Sequence, residues 1–98
     1  MTLRPFFRAA ARLEYDEAAG WYEAQRSGLG VEFVAEIERA LQQACETPQR
    51  FPRMLSDVQC VRVRRFPYSI FFRARGDRIV VLSVFHARRD PLIWRERT

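Results

Sequence analysis

The 98-residue chain contains no lysine; all 17 of its basic residues are arginine. It has one histidine, His86, two cysteines, Cys45 and Cys60, and four glycines. Each scarcity removes a class of function. A single histidine and two cysteines without paired ligand spacing give no zinc signature, so no metal is expected. The glycines form neither a phosphate-binding loop nor a dinucleotide fingerprint, and no cofactor is called for. No Ser-His-Asp or Cys-His arrangement is legible. No apolar run approaches the roughly 20 residues needed to span a bilayer. The opening "MTLRPFFRAAARLEYDE" has early acids where a signal peptide has an apolar stretch. The expectation is a cytoplasmic protein with no membrane partner, in which Cys45 and Cys60 are buried free thiols.

Hydrophobic residues make up 48% of the chain, enough for a core, and the length fits one domain over residues 1–98. The net charge is +5. Every positive charge is a planar fork that keeps its proton and matches phosphate or carboxylate geometry. An acidic partner is therefore expected, either nucleic acid or an acidic protein.

The hydropathy pattern falls into two halves. In "VEFVAEIERALQQAC" (31–45), Phe33, Val34, Ile37, Leu41, Ala44 and Cys45 recur at helical spacing, and Pro48 ends the helix. An earlier helix over about residues 9–26 is less regular, with Ala10, Leu13, Trp21 and Tyr22 apolar. The short break at Ser27–Gly30 implies a helical hairpin. The second half alternates with period two in "CVRVRRF" and "YSIFFR", divided by Phe66-Pro67. Gly76-Asp77 suits a hairpin turn, and "IVVLSVF" reads as a central strand buried on both faces. "TLRPFF" fits a short strand that Pro5 confines to an edge. Asp90 and Pro91 suit the start of a short terminal helix. The expected fold is α+β: an antiparallel sheet with a helical hairpin on one face, in the order β-α-α-β-β-β plus a short C-terminal helix.

Candidate chemistry gathers around His86. Arg62 and Arg64 project opposite Val61 and Val63, with Arg65 at the strand end, and Arg88 and Arg89 follow His86 at the end of another strand. If the helices cover one sheet face, the other face can carry a basic groove. Arginine forks hold phosphodiesters, histidine moves protons near neutral pH, and RNA supplies its own 2′-hydroxyl nucleophile. Such a groove suits RNA cleavage without metal, with Tyr68 and Trp94 available to stack on bases. The plainer reading is that the arginines solubilise the sheet and pair with acids, that His86 is a hydrogen-bonded structural residue, and that Tyr68 and Trp94 pack in the core.

Four stretches in order, "WYEAQRSGLGVEFVAEIERAL" (21–41), "TPQRFP" (47–52), "VRRFPYSIFFR" (63–73) and "VFHARRDPLIWRER" (84–97), give a resemblance that runs nearly end to end. The chain resembles the RelE/ParE superfamily of bacterial toxins from type II toxin–antitoxin systems. The resemblance implies a small α+β toxin made beside an antitoxin; the chain's basic charge further predicts that this antitoxin is acidic, with its acids covering Arg62, Arg64 and Arg88. RelE-like members cleave mRNA on the ribosome; ParE-like members poison DNA gyrase and need no active site. Arg65 and His86 match positions where RNA-cleaving members often keep functional residues. On that leading reading Arg65 and Arg88 hold the scissile phosphate, His86 transfers a proton, and Arg62, Arg64 and Arg89 bind flanking RNA. The alternative is gyrase inhibition through the same surface or the helical hairpin. The chain lacks lysine and has no tyrosine after Tyr68, where many RNA-cleaving members use a C-terminal one, and "HARR" endings occur among ParE-like members as well.

Overall fold

The computed structural model describes residues 2–98. The chain runs β1 (Arg4–Phe7), α1 (Ala9–Gln25), α2 (Leu29–Glu46), a 3-10 turn (Pro48–Arg50), β2 (Arg53–Leu55), β3 (Val58–Arg62), β4 (Tyr68–Arg75), β5 (Arg78–His86) and α3 (Leu92–Arg95). The five strands form one sheet in the order β1-β5-β4-β3-β2. The α+β class and the order of the long elements are as the hydropathy pattern predicts. Two features differ. β1 pairs with β5 in parallel, so the sheet is mixed. The crossover through α1 and α2 brings β1 alongside β5 in the same direction. β2 is an extra strand, three residues long and interrupted by a register shift between Arg53 and Leu55, too short for a period-two signal to be read.

α1 and α2 pack on one face of the sheet. α2 buries Phe33, Ile37, Leu41 and Ala44, the spacing read from the sequence, against Val61, Ile70, Phe72 and Val81. Burying each large aliphatic or aromatic side chain contributes roughly 1.5–3 kcal/mol. α1 instead points Ala11, Tyr15 and Ala18 inward and leaves Leu13 and Trp21 58% and 60% exposed. The helix is apolar on two sides, which is why its periodicity is weak.

The α1–α2 corner depends on glycine. Gly28 has φ of 90°, a left-handed conformation that L side chains rarely adopt. A Cβ on buried Gly30 would lie 2.6 Å from the Ala19 carbonyl oxygen. The Glu23 carboxylate accepts the Gly28 and Gly30 N–H groups, both at 2.9 Å, and so caps the start of α2 from the preceding helix.

The opposite sheet face holds a smaller cluster of Val58, Cys60, Phe71, Leu82 and Phe85. α3 folds back over it and stacks Trp94 on Phe71, with ring centroids 4.0 Å apart and planes 11° from parallel. Asp90 Oδ1 accepts the Leu92 N–H at 3.0 Å and starts this helix. Trp94 is thus a core residue, and Cys45 and Cys60 are both buried and free.

β5 lies between β1 and β4, and Ile79, Val81, Leu82 and Ser83 have no exposed surface. Its pairing with β4 slips by one residue: Phe72 faces Val81 while Phe71 faces Ser83, so Leu82 is extra. This bulge resets the alternation. Val81 and Val84 both reach the helix-side core, and His86, two residues on, turns toward α1.

Candidate functional site

The bulge places His86 in a cleft of about 320 Å³ between α1 and the ends of β4 and β5. Its walls include Glu14, Glu17 and Trp21 from α1, Tyr68 from β4, and Arg89. His86 lies opposite Tyr68 in the strand register, with ring centroids 5.0 Å apart and planes nearly perpendicular. Its Nδ1 accepts the Arg88 backbone N–H at 3.0 Å. An accepting Nδ1 puts the proton of the neutral ring on Nε2. Burial raises the Tyr68 hydroxyl pKa above its ordinary value, so this wall of the cleft stays neutral.

Glu14 organises the cleft. β1 pairs with β5 only as far as Val81, leaving the strand edge beyond it without a neighbouring strand. Glu14 Oε1 accepts the Val84 N–H and the Ser83 hydroxyl, both at 3.0 Å. The same oxygen accepts Arg97 Nη1 at 2.8 Å, and Arg97 also donates to the Leu82 carbonyl at 3.1 Å. Glu14 Oε2 accepts Arg89 Nη1 at 2.5 Å. One carboxylate therefore closes the strand edge, holds the C-terminal segment and binds Arg89. Sequence reasoning missed Glu14, whose partners lie 69–83 residues away. The available signal was Ser83, the one polar residue in "IVVLSVF", which must find a hydrogen-bond partner when buried.

The six arginine and histidine candidates do not share one groove. His86 and Arg89 line the same cleft, and Arg88 adds its backbone N–H while its side chain is exposed and has no ion-pair partner among the described residues. Arg62, paired with Ser69 at the end of β3, lines a different cavity with Cys60 and Phe71. Arg64 lies beyond β3, exposed in the connection to β4. Arg65, with φ of 71°, turns to the helix layer, where Nη2 donates to Glu32 Oε1 at 2.7 Å and Nη1 lies 3.8 Å from Glu36 Oε2. Glu32 also takes Arg26 at 3.0 Å. These arginine hydrogen bonds, Arg65's first, hold the Glu32 carboxyl below its ordinary range, and Arg65 is raised in turn by Glu32. Arg65 thus has a clear structural role in fastening the β3–β4 connection to α2.

The cleft combines aromatic walls, one histidine and two carboxylates, and its one guanidinium is held by Glu14. No group of three or more histidine, cysteine or acidic residues that could hold a metal ion occurs among the described residues. Among the described residues no helix is long and apolar enough to cross a membrane. A comparison with curated proteins finds no match. Among solved structures, one chain described as the chromosomal ParDE TA system from P. aeruginosa superposes with a TM-score of 0.74 over 89% of this chain and 98% of that one, at 16% identity. At that identity the likeness establishes the fold. The model of the family described as ParE toxin of type II toxin-antitoxin system, parDE, matches residues 6–91. The chain belongs to the ParE toxin family of type II toxin–antitoxin systems.

Proposed function

We propose that this toxin acts in the cytoplasm as an inhibitor of DNA gyrase, by binding rather than by cutting RNA. The observation that carries this reading is the charge arrangement around His86. Two carboxylates, Glu14 and Glu17, wall its cleft, and the single arginine there is paired with Glu14. RNA cleavage needs the reverse: free guanidinium groups converging on a phosphodiester, with a histidine able to move its proton. Arg65 and Arg62, which would complete such a site, are directed to α2 and to a different cavity. Membership of the ParE family supports the same target, because ParE-like members poison gyrase without an active site.

The contact surface on this reading is the exposed side of α1, where Leu13 and Trp21 stand more than half exposed and Trp21 also edges the His86 cleft. Large exposed aromatics of this kind commonly anchor protein interfaces. Gyrase supercoiling and translation of a reporter mRNA, assayed with the same preparation, test the proposal. The purified toxin should block supercoiling and leave mRNA intact. Trp21→Ala should weaken inhibition by about tenfold or more, the scale of an interface anchor, while melting at the parent temperature. Cleaved message with unimpaired supercoiling would overturn the proposal and restore the nuclease reading.

A further inference from the structure

The charges of the chain are not spread evenly over the fold. The helical hairpin, residues 9–46, carries eight of the 12 acids and three of the 17 arginines, a net charge of −5. The other four acids and 14 arginines lie in the sheet and its connections, which are strongly basic. The largest cavity described, about 600 Å³ beside β2 with Phe51, Met54 and Arg62 on its walls, belongs to that basic part. Within the hairpin each arginine already has an acid: Arg12 pairs with Asp16, Arg26 with Glu32 and Arg39 with Glu36. Exposed Glu17, Glu23 and Glu38 are in no ion pair among the described residues.

An apolar groove of about 400 Å³ opens in this acidic surface, between α1 and α2. Ala19, Gly20, Glu23, Gly30, Val31 and Val34 line it. Glu23 is the only polar side chain among them, and both of its carboxylate oxygens are taken by the Gly28 and Gly30 N–H groups. Val31 is 71% exposed. Glu17 stands one turn from Gly20 along α1, and Glu38 one turn from Val34 along α2.

The two glycines of the groove differ in kind. Gly30 is required where the helices touch, as described above. Gly20 is not. It lies in the interior of α1, where glycine weakens a helix relative to alanine. It lacks the positive φ of Gly28 and Gly76, and a Cβ added to it would meet nothing within 4 Å. Neither packing nor backbone conformation calls for glycine there. What the missing side chain does is leave the groove open, directly beside exposed Trp21.

We infer that this groove receives an apolar side chain from a basic segment of gyrase. The inference deepens the gyrase reading and rests on it for the identity of the partner. The apolar side chain would sit over Gly20, against Val31 and Val34, and flanking lysines or arginines would meet Glu17 and Glu38. Nucleic acid, an acidic segment or the same face of a second copy would be repelled by the hairpin's charge.

The gyrase holoenzyme and the full-length toxin supply the first test. Gly20→Leu fills the groove with a good helix former, so it should melt at or above the parent temperature. It should bind gyrase about tenfold or more weakly, the scale of a lost interface anchor. If it does not fold, Val31→Lys blocks the same groove with a cation from an exposed position. Glu17→Gln/Glu38→Gln, in which residue 38 can still accept the Tyr15 hydroxyl, should bind about threefold more weakly and with less dependence on salt. The second test needs no gyrase. An acetylated eight-residue peptide alternating lysine with leucine is compared with the same peptide carrying glutamate for lysine, by backbone amide shifts. The lysine peptide should move residues 16–24 and 30–38 of the parent and not of Gly20→Leu, and the glutamate peptide should move neither. Shifts outside the hairpin, or equal binding of the glutamate peptide, would overturn the inference. So would undiminished gyrase affinity in the folded Gly20→Leu protein, an outcome that leaves the gyrase reading standing. A parent that takes the lysine peptide in the groove but does not bind gyrase would overturn the gyrase reading and, with it, the partner named here.

Discussion

The cleft at the end of β5 and the groove beside β2 both carry arginine and aromatic side chains, yet the two differ in where the acids lie. In the cleft, Glu14 takes Arg89 and Arg97, and the free guanidinium nearest His86 is that of exposed Arg88, outside the cleft lining. Beside β2, Asp57 is drawn to Arg73 and Arg75, and Arg50, Arg53 and Arg62 are in no ion pair among the described residues. In a protein whose positive charges are all arginine, the positions of the 12 acids decide which guanidiniums are available. The cleft is an internal fastening with a histidine at its side. The groove is an open surface.

Removing the fastening should have the largest effect. Glu14→Ala leaves two guanidiniums, the Ser83 hydroxyl and the Val84 N–H without their acceptor. The expected cost is about 2 kcal/mol, between an exposed pair and a fully buried one, because Glu14 is partly buried while Arg89 is more than a third exposed. That corresponds to a melting temperature lower by on the order of 10 °C in a domain of this size. A loss under about 1 kcal/mol would mean that Glu14 does no more than an exposed pair and that the contrast with the β2 groove is overstated.

His86→Ala sharpens the comparison from inside the cleft. It removes the perpendicular contact with Tyr68 and the acceptor for the Arg88 N–H. A stability loss of about 1 kcal/mol is expected, with supercoiling inhibition within about twofold of the parent. A fall of a hundredfold or more in toxicity with the fold intact, the scale of a lost acid–base catalyst, would return His86 to the chemistry.

The pairing of Arg65 with Glu32 should show in acid. The folded-state pKa of Glu32 is lowered, so its contribution to stability is present above the ordinary value of 4.5 and is lost as pH falls through the lowered one. Glu32→Gln should therefore flatten the acid limb of the stability profile between neutral pH and pH 3, measured by urea denaturation. An unchanged acid limb would show that Arg65 is not held there in solution. The smallest effect belongs to the open surface: Arg53→Ala and Arg62→Ala should each stay within about 0.5 kcal/mol of the parent. A larger loss in either would place that arginine in the structure and remove it from any docking surface.

The sequence makes much of this fold legible, for local reasons. Phe33, Ile37, Leu41 and Ala44 announce the inner face of α2 by spacing, and Gly76-Asp77 forms the turn between β4 and β5. What it hides is set by long-range pairing. No local feature says that β1 will run parallel to β5. The three-residue β2 has no period to detect. The most consequential case is Leu82. Strict alternation from Ile79 and Val81 puts His86 on the face away from the helices, where a basic groove with Arg62 would be natural. One extra residue reverses that placement. Composition identified the candidate residues, but a single bulge and a glutamate far away in the chain determine which of them meet.

The position of β5 in the chain also bears on how the molecule comes to be folded. β1 has no strand partner except β5, so Arg4 waits for Arg78. The first helix is then tied through Glu14 to Arg97, 83 residues further on. During synthesis β1 cannot join the sheet until β5, Arg78–His86, has been made, and contacts at such sequence separation slow folding. A product that stops before residue 78 lacks the strand that joins β1 to the rest of the sheet. Such truncations should yield no toxin at all rather than a weakened one.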